Sequence, residues 1–495
     1  MEHIISIDQG TSGSKAMVIS EKGEVISSHT CPFPVNYPQP GFVEQDGNEI
    51  IASVISAVKE AVTQFEAGGN KKNSIVAASI SNQRESFLLW DDSGTPLTPV
   101  IVWQCKRSID ICTRLQEQGL DSVITDITGL RIDPYFSGTK FLWLIENNPD
   151  LAAKIHAGSV YFGTIDTWLV FKLTGIYATD YSNASRTLLM DLDKCEWNSE
   201  MREIFRTKGL RLPAIHPSTG YFGKTNFKGI FSNPIPVTAI IGDSHAACFG
   251  EGCFSPGTVK ATMGTGSSVV MNSGRRVRSN HGMVSTICWS MEGRVDYALE
   301  GVIVSCGSTI TWIQEKLGLV NSVNSFNAMA ESVPDSGGVT FIPAFSGLGG
   351  PYWQMDRKAE ILGITFGTEA AHIVRAALES YPFQLKDVIS AMENDRGPAA
   401  LSVNNSSRWI RADGGLTHSR LSMLLIADLL KTEVRIDKRH EASAMGAAML
   451  GFIGKGTLNF TDVENLIQAA PYDEYRPGQT SESLEEAYQL WKKRI

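Results

Sequence analysis

No stretch of this sequence stays apolar long enough to cross a bilayer, so no membrane-spanning helix is expected. Glu2 and Asp8 flank the short apolar run at the N-terminus, which is not the pattern of a signal peptide. Positive charge is in deficit. A net charge of -9 leaves no general basic face for a nucleic-acid partner. The eight cysteines contain no C-x-x-C pair and sit in apolar surroundings such as CFGEGC and VIVSCG; reduced thiols in a cytoplasmic setting are expected, rather than disulfides or a zinc site. Neither G-x-x-x-x-G-K-[ST] nor the glycine-rich set of protein kinases occurs, which excludes two common nucleotide-binding designs.

What is present is a stretch that occurs in two versions. Ile4 to Ser20 reads as a strand ending at Asp8, a small-residue turn and a returning strand. Gly10 and Gly13 allow close approach of a ligand, Thr11, Ser12 and Ser14 offer hydroxyl and N–H groups, and Lys15 adds positive charge, a tip suited to phosphates. Asp8 lies where a nucleotide-bound Mg²⁺ would sit, since that ion takes oxygen ligands. Thr258 to Met271 repeats the design around Gly-Thr-Gly, with Thr265, Ser267 and Ser268 at its tip. The repeat predicts an internal duplication that grips a nucleotide between its halves. With 495 residues two domains are expected, 1–250 and 251–495.

Along the chain, Asp46 and Glu49 open a helix like a capping box, and Ile75 to Ile80 is a strand that delivers SNQRES to its C-terminal end, where open α/β sheets bind ligands. Phe87 to Trp90 and Leu97 to Trp103 flank a hairpin turn. Pro234 to Gly250 reads as a buried strand, a turn at Gly242-Asp243-Ser244 and a small-residue helix. Pro382 is expected to kink or split the helix at Ala370 to Met392. Gly415 lies near a helix start, a natural anion or nucleotide site. A polar tail with a last amphipathic helix follows residue 455.

Phosphoryl transfer needs a metal, phosphate cradles, an acceptor pocket and a proton acceptor. Asp243, at the end of a buried strand, is the candidate base, and capping the following helix is its alternative role. Arg84 and Glu85 together can donate to and accept from the vicinal hydroxyls of a polyol.

DQGT at Asp8, NQRE at Asn82, IVWQC at Ile101, DPYFSGTK at Asp133, FGTIDTWL at Phe162, TDYSNASRT at Thr179, YALEG at Tyr297 and GLGGPYW at Gly347 together resemble the FGGY carbohydrate kinases, and among them the glycerol kinases. The resemblance runs from about residue 3 to about residue 455. It implies an α/β fold of two actin-like (ribonuclease H-like) domains with an ATP cleft between them, ATP and Mg²⁺ as cofactors, and phosphorylation of a terminal hydroxyl of a small polyol or sugar. It also implies a homodimer or homotetramer. Carried over residue by residue, it places Arg84, Glu85, Trp103, Tyr135, Asp243 and Ser244 at the polyol, with Asp243 the base. Thr11, Ser12, Lys15, Thr265, Gly307, Thr311, Gly415 and Ser419 fall on the nucleotide side.

The chain departs from the resemblance at four positions. Lys15 stands where glycerol kinases usually carry arginine and Ser419 where they carry asparagine, both changes that keep hydrogen-bonding character. Ser244 replaces a glutamine and Ser268 a phenylalanine, which predicts a longer, more polar pocket and an acceptor larger than glycerol, such as a four- or five-carbon polyol or ketose. The segment 393–412 reads as a surface insertion, and no inhibitor-binding basic loop is evident at Asn226 to Asn233. The competing classes are an ATPase of the actin and Hsp70 type, for which a polyol pocket has no use, and a sugar-binding regulator without turnover, which would not need both Asp8 and Asp243.

Overall fold

The computed structural model describes residues 1–397, 409–439, 441–478 and 482–495. In the first half, antiparallel strands β1 (His3–Gln9), β2 (Gly13–Ser20) and β3 (Val25–Pro32) lead into helix α1 (Gly47–Ala67). Strand β4 (Ile75–Asn82), helix α2 (Ser137–Asn147), strand β5 (Ile235–Gly242) and helix α3 (Asp243–Gly250) follow. The five strands lie side by side in the order β5-β4-β1-β2-β3, with β1, β4 and β5 parallel.

The second half repeats this plan. It contains β6 (Val259–Met263), β7 (Ser267–Gly274), β8 (Val284–Met291), β9 (Arg294–Ile303), helix α4 (Ala370–Arg396) and β10 (Trp409–Asp413). Helix α5 (Arg420–Leu430), strand β11 (Glu433–Asp437), helix α6 (Ala442–Lys455), strand β12 (Tyr472–Tyr475) and helix α7 (Glu482–Arg494) complete it. The sheet order is β8-β9-β7-β6-β10-β11-β12, so β9-β7-β6-β10-β11 matches β3-β2-β1-β4-β5 in order and direction. The two glycine-tipped hairpins, β1/β2 and β6/β7, occupy equivalent places.

Both faces of β1, β4 and β5 are covered, which is why these strands read as near-continuous apolar runs, whereas the edge strand β3 is largely exposed. Ile5, Ile7, Ala16 and Val18 pack with α1, whereas Ile4, Met17 and Ile19 share a core with Met445, Ala448 and Met449 of α6. Asp46 caps α1, its carboxylate accepting from the N–H groups of Asn48 (2.7 Å) and Glu49 (3.4 Å).

Helix α4 runs continuously through Pro382, so of the kink or split that the sequence implies the split does not occur. Proline removes a single backbone hydrogen bond, and the helix is buried on both sides of it, from Val374 to Val388, with few exceptions. The tail is also richer than one helix: β12 extends the second sheet, and α7 buries Leu484, Tyr488 and Trp491 in the second core. Most of the candidate insertion, 398–408, lies outside the described residues. Among the described residues no helix is long and apolar enough to cross a membrane.

The halves interlock through α3 and α6. A Cβ on Gly446 would lie 1.8 Å from the Ala246 carbonyl oxygen, and one on Gly250 would lie 2.2 Å from that of Ala442. Only glycine permits this approach. Helix α6, late in the chain, thereby lies on the first sheet, where Ser6 Oγ donates to the Ala444 carbonyl at 2.7 Å and Thr238 Oγ1 to that of Gly451 at 2.9 Å. Gly446→Ala is expected to lower stability by about 3 kcal/mol, because backbone rather than a side chain must move; urea unfolding measures it.

Candidate active site

Parallel strands bring their C-terminal ends to one edge of the first sheet. Asp8 is in register with Ser81, Ser81 with Ile241, and Asp243 lies two residues farther on. Ser81 Oγ donates to Asp8 Oδ1 at 2.9 Å. Burial raises the Asp8 carboxyl to about 6; the charges of Asp243 and Glu441 add to this, while Ser81 and Lys15 oppose it.

Asp243 does not cap α3. Gly242 is the cap residue, with φ -62° and ψ 145°, so the strand passes into the helix without a separate turn and Asp243 becomes its first residue. A Cβ at Gly242 would lie 2.7 Å from Arg84 Cγ, so the arginine stem occupies the space a side chain would need. The Asp243 carboxylate, 38% exposed, accepts from the Ser244 N–H at 2.6 Å and lies 3.3 Å from Arg84 Nε. It is thus held in place and open to the cleft.

Arg84 and Glu85 do not pair with each other. Arg84 forks onto Glu300 on β9 through Nη2 to Oε1 at 2.8 Å and Nη1 to Oε2 at 3.1 Å. Glu85, at φ 59°, accepts from Arg186 Nε at 2.6 Å. Arg186 Nη1 lies 2.7 Å from Glu300 Oε2, an ionic contact bent away from hydrogen-bond geometry. The two arginines hold Glu300 well below the usual carboxylate range against the opposing effect of burial. Four buried charges therefore form a chain that joins the halves.

Trp103 and Tyr135 meet edge to face, ring centroids 5.5 Å apart. Buried Lys140 ties their loops together, donating to the Tyr135 carbonyl at 2.7 Å with the Trp103 carbonyl 3.5 Å away; burial pushes its ammonium down to about 8. Trp103 Nε1 donates to Thr11 Oγ1 at 2.9 Å, which ties the hairpin tip to the Trp103–Tyr135 pair. Ser244 is half-buried, and Ser268, also half-buried, donates to Glu300 Oε1 at 2.8 Å.

Of the candidate nucleotide residues, Ser12 and Thr265 are exposed at the two tips. Gly307 donates its N–H to the Gly264 carbonyl at 2.9 Å and opens the helical turn that carries Thr311. Gly415 has open space where a side chain would be, just after Gly414 at φ 91°. Ser419 is buried and its hydroxyl caps α5, accepting from the Ser422 N–H at 3.3 Å. Two hydroxyls differ from their sequence reading. Ser14 points inward to Ser53 Oγ (2.7 Å) and Ser267 to the Tyr381 hydroxyl (3.1 Å), because alternate strand residues face opposite sides. Lys15 donates to both carboxylate oxygens of Glu441, at 2.9 and 3.1 Å.

Models of the FGGY family of carbohydrate kinases match the chain over residues 3–250 for the N-terminal domain and 259–454 for the C-terminal domain. The chain belongs to this family. It is 41% identical to glycerol kinase 2 of Thermotoga maritima, covering 100% of this chain and 98% of that protein, and 40% identical to the glycerol kinase of Citrifermentans bemidjiense with the same coverage. Its fold superposes on the crystal structure of Plasmodium falciparum glycerol kinase with ADP at a TM-score of 0.91 and 32% identity, covering 100% of this chain and 97% of that one. The xylulose kinase of Lactobacillus acidophilus, 21% identical with a TM-score of 0.87, shares the fold over 100% of this chain and 98% of its own. This FGGY kinase is an ATP-dependent phosphotransferase that acts on an alcohol group.

Sequence reading missed Glu300, Arg186, Lys140 and Glu441. The first three lie inside the motifs YALEG, TDYSNASRT and DPYFSGTK, and a full charge amid small or apolar residues was the available signal. Arg186→Met would leave Glu85 without its hydrogen-bonded cation and Glu300 with only Arg84. A loss of about 3–5 kcal/mol is expected in chemical denaturation, as for one partner removed from a buried pair.

Proposed function

We propose that this kinase transfers the γ-phosphoryl group of ATP to the terminal hydroxyl of a small polyol, with Asp243 as general base. The half-exposed Asp243 carboxylate carries this reading: it stands at the strand edge beside Asp8, with Arg84 fixing one oxygen. The acceptor hydroxyl gives its proton to Asp243, its oxygen bonds to the γ-phosphorus, and the bond from that phosphorus to the β–γ bridging oxygen breaks, releasing ADP. Trp103 and Tyr135 wall the carbon chain, while Arg84 and Glu85, held by their buried partners, meet its hydroxyls.

The oxygen-only donors Asp8 and Asp243 fit a hydrated Mg²⁺, and their mutual electrostatic influence at the Asp8 carboxyl is what a divalent cation relieves. When bound, the ion supplies charge neutralisation on the phosphate oxygens. Thr11, Ser12 and Lys15 from one hairpin, Thr265, Gly307 and Thr311 from the other, and Gly415 with Ser419 frame the nucleotide. The domain division at about residue 250, a homodimeric or homotetrameric assembly and a cytoplasmic location belong to the same reading, as does the absence of nucleic-acid and membrane partners.

The relatives named glycerol kinase make glycerol the reference acceptor. Ser244 and Ser268 favour a second reading, a longer four- or five-carbon polyol or ketose, because both side chains are small and only half-buried. ADP release with Mg·ATP over a panel from glycerol through erythritol, xylitol and erythrulose to the pentuloses separates the two. The longer acceptors are expected to give the higher kcat/KM, and glycerol as the best acceptor would discard the longer-pocket reading. Ser268→Phe is expected to shift preference toward glycerol by about tenfold, the scale of filling or emptying a methylene-sized space. Asp243→Asn is expected to lower kcat at least 100-fold with every acceptor, as loss of a general base does; near-normal turnover would remove Asp243 from that role.

A further inference from the structure

The ion pair between Lys15 and Glu441 is not part of the polyol network, and its place is informative. Lys15 sits directly across the hairpin from Asp8, on the strand that leaves the phosphate-suited tip. Glu441 immediately precedes α6, the helix of the second half that lies on the first sheet. Both its carboxylate oxygens accept from Lys15 Nζ, at 2.9 and 3.1 Å, with the two side chains about one-third exposed, at 32% and 29%. Two residues on, Ser443 Oγ donates to the Asp243 carbonyl at 3.1 Å, which anchors the start of α6 to the candidate base. The carboxylate therefore stands at the corner where Asp8, Asp243 and Lys15 meet, and its charge acts on Asp8.

A bidentate carboxylate on an otherwise uncommitted ammonium, at the phosphate side of a nucleotide cleft, has the same charge sign and the same two-oxygen presentation as a phosphate. We infer that Glu441 is a resident competitor for Lys15: it holds the ammonium in the empty cleft and gives it up when a nucleotide polyphosphate arrives. This rests on the placement of Lys15 at the nucleotide. The pair is a partial brake on nucleotide binding, since the incoming phosphates must displace a formed ion pair rather than meet a free cation. It also couples the phosphates to α6, and through Ser443 to Asp243.

The test is nucleotide affinity rather than turnover. ADP binding is titrated calorimetrically with and without Mg²⁺ for the wild type, Glu441→Gln, Lys15→Met and the double variant. Removing a partly exposed ion pair changes affinity by about two- to fivefold. Glu441→Gln is expected to tighten metal-free ADP binding by that factor, Lys15→Met to weaken it, and Glu441→Gln to have no effect in the Lys15→Met background. Unchanged or weaker metal-free binding in Glu441→Gln overturns the inference. So does weakening seen only with Mg²⁺, which would assign Glu441 to the metal's hydration shell instead. Tightening that persists in the Lys15→Met background overturns it too. Glu441→Asp, whose shorter reach loosens the same contact, is the second variant if glutamine disturbs folding. A wild type that binds no ADP would count against the kinase reading itself, whereas normal ADP binding with no Glu441 effect counts only against the competition.

Discussion

The chain Glu85–Arg186–Glu300–Arg84 is the interaction on which the site depends. Each member is buried, and each draws on charges from another part of the chain: a strand-end loop, the turn after a short helical segment at Tyr181–Ala184 and strand β9 of the second sheet. A lone charge at such depth would cost several kcal/mol, so these side chains are tolerable only as a set. The set forces the two halves into one relative position, and that position presents Arg84 to Asp243.

The crossing of α3 and α6 supplies the second constraint. With glycine at 250 and 446 the helices approach nearly backbone to backbone, and each binds the half it does not belong to by chain order. The cleft therefore closes over a crossing with little freedom to slide. Asp243 at the start of α3 and Glu441 at the entrance of α6 are carried by these helices, so the proposed base and the Lys15–Glu441 ion pair share one mechanical base.

Much of the fold was legible because the duplication repeats a local pattern. A strand, a glycine turn and a returning strand have a period-2 signal that survives in a single sequence, and α1 showed both its cap and its apolar face. Pro382 does not split α4 because propensity weighs the lost hydrogen bond and the ring, whereas burial along most of the helix outweighs them. Ser14 and Ser267 misled for the opposite reason: at a hairpin tip one residue decides which face a hydroxyl takes, and the turn, not the composition, sets that parity.

Residue types and order alone determined the duplicated α/β architecture, the strand-end carboxylates Asp8 and Asp243, and membership of a carbohydrate kinase family, since these rest on local periodicity and contiguous motifs. Only the tertiary structure decided the partners: Glu300 for Arg84, Arg186 for Glu85, Glu441 for Lys15 and Trp103 for Thr11. Those pairs join residues tens to hundreds of positions apart, and a single sequence carries no signal of which opposite charge will be brought within reach. The crossing of α3 and α6 brings Glu300 to Arg84 and Glu441 to Lys15, and the loops of the first half bring Arg186 to Glu85 and Trp103 to Thr11.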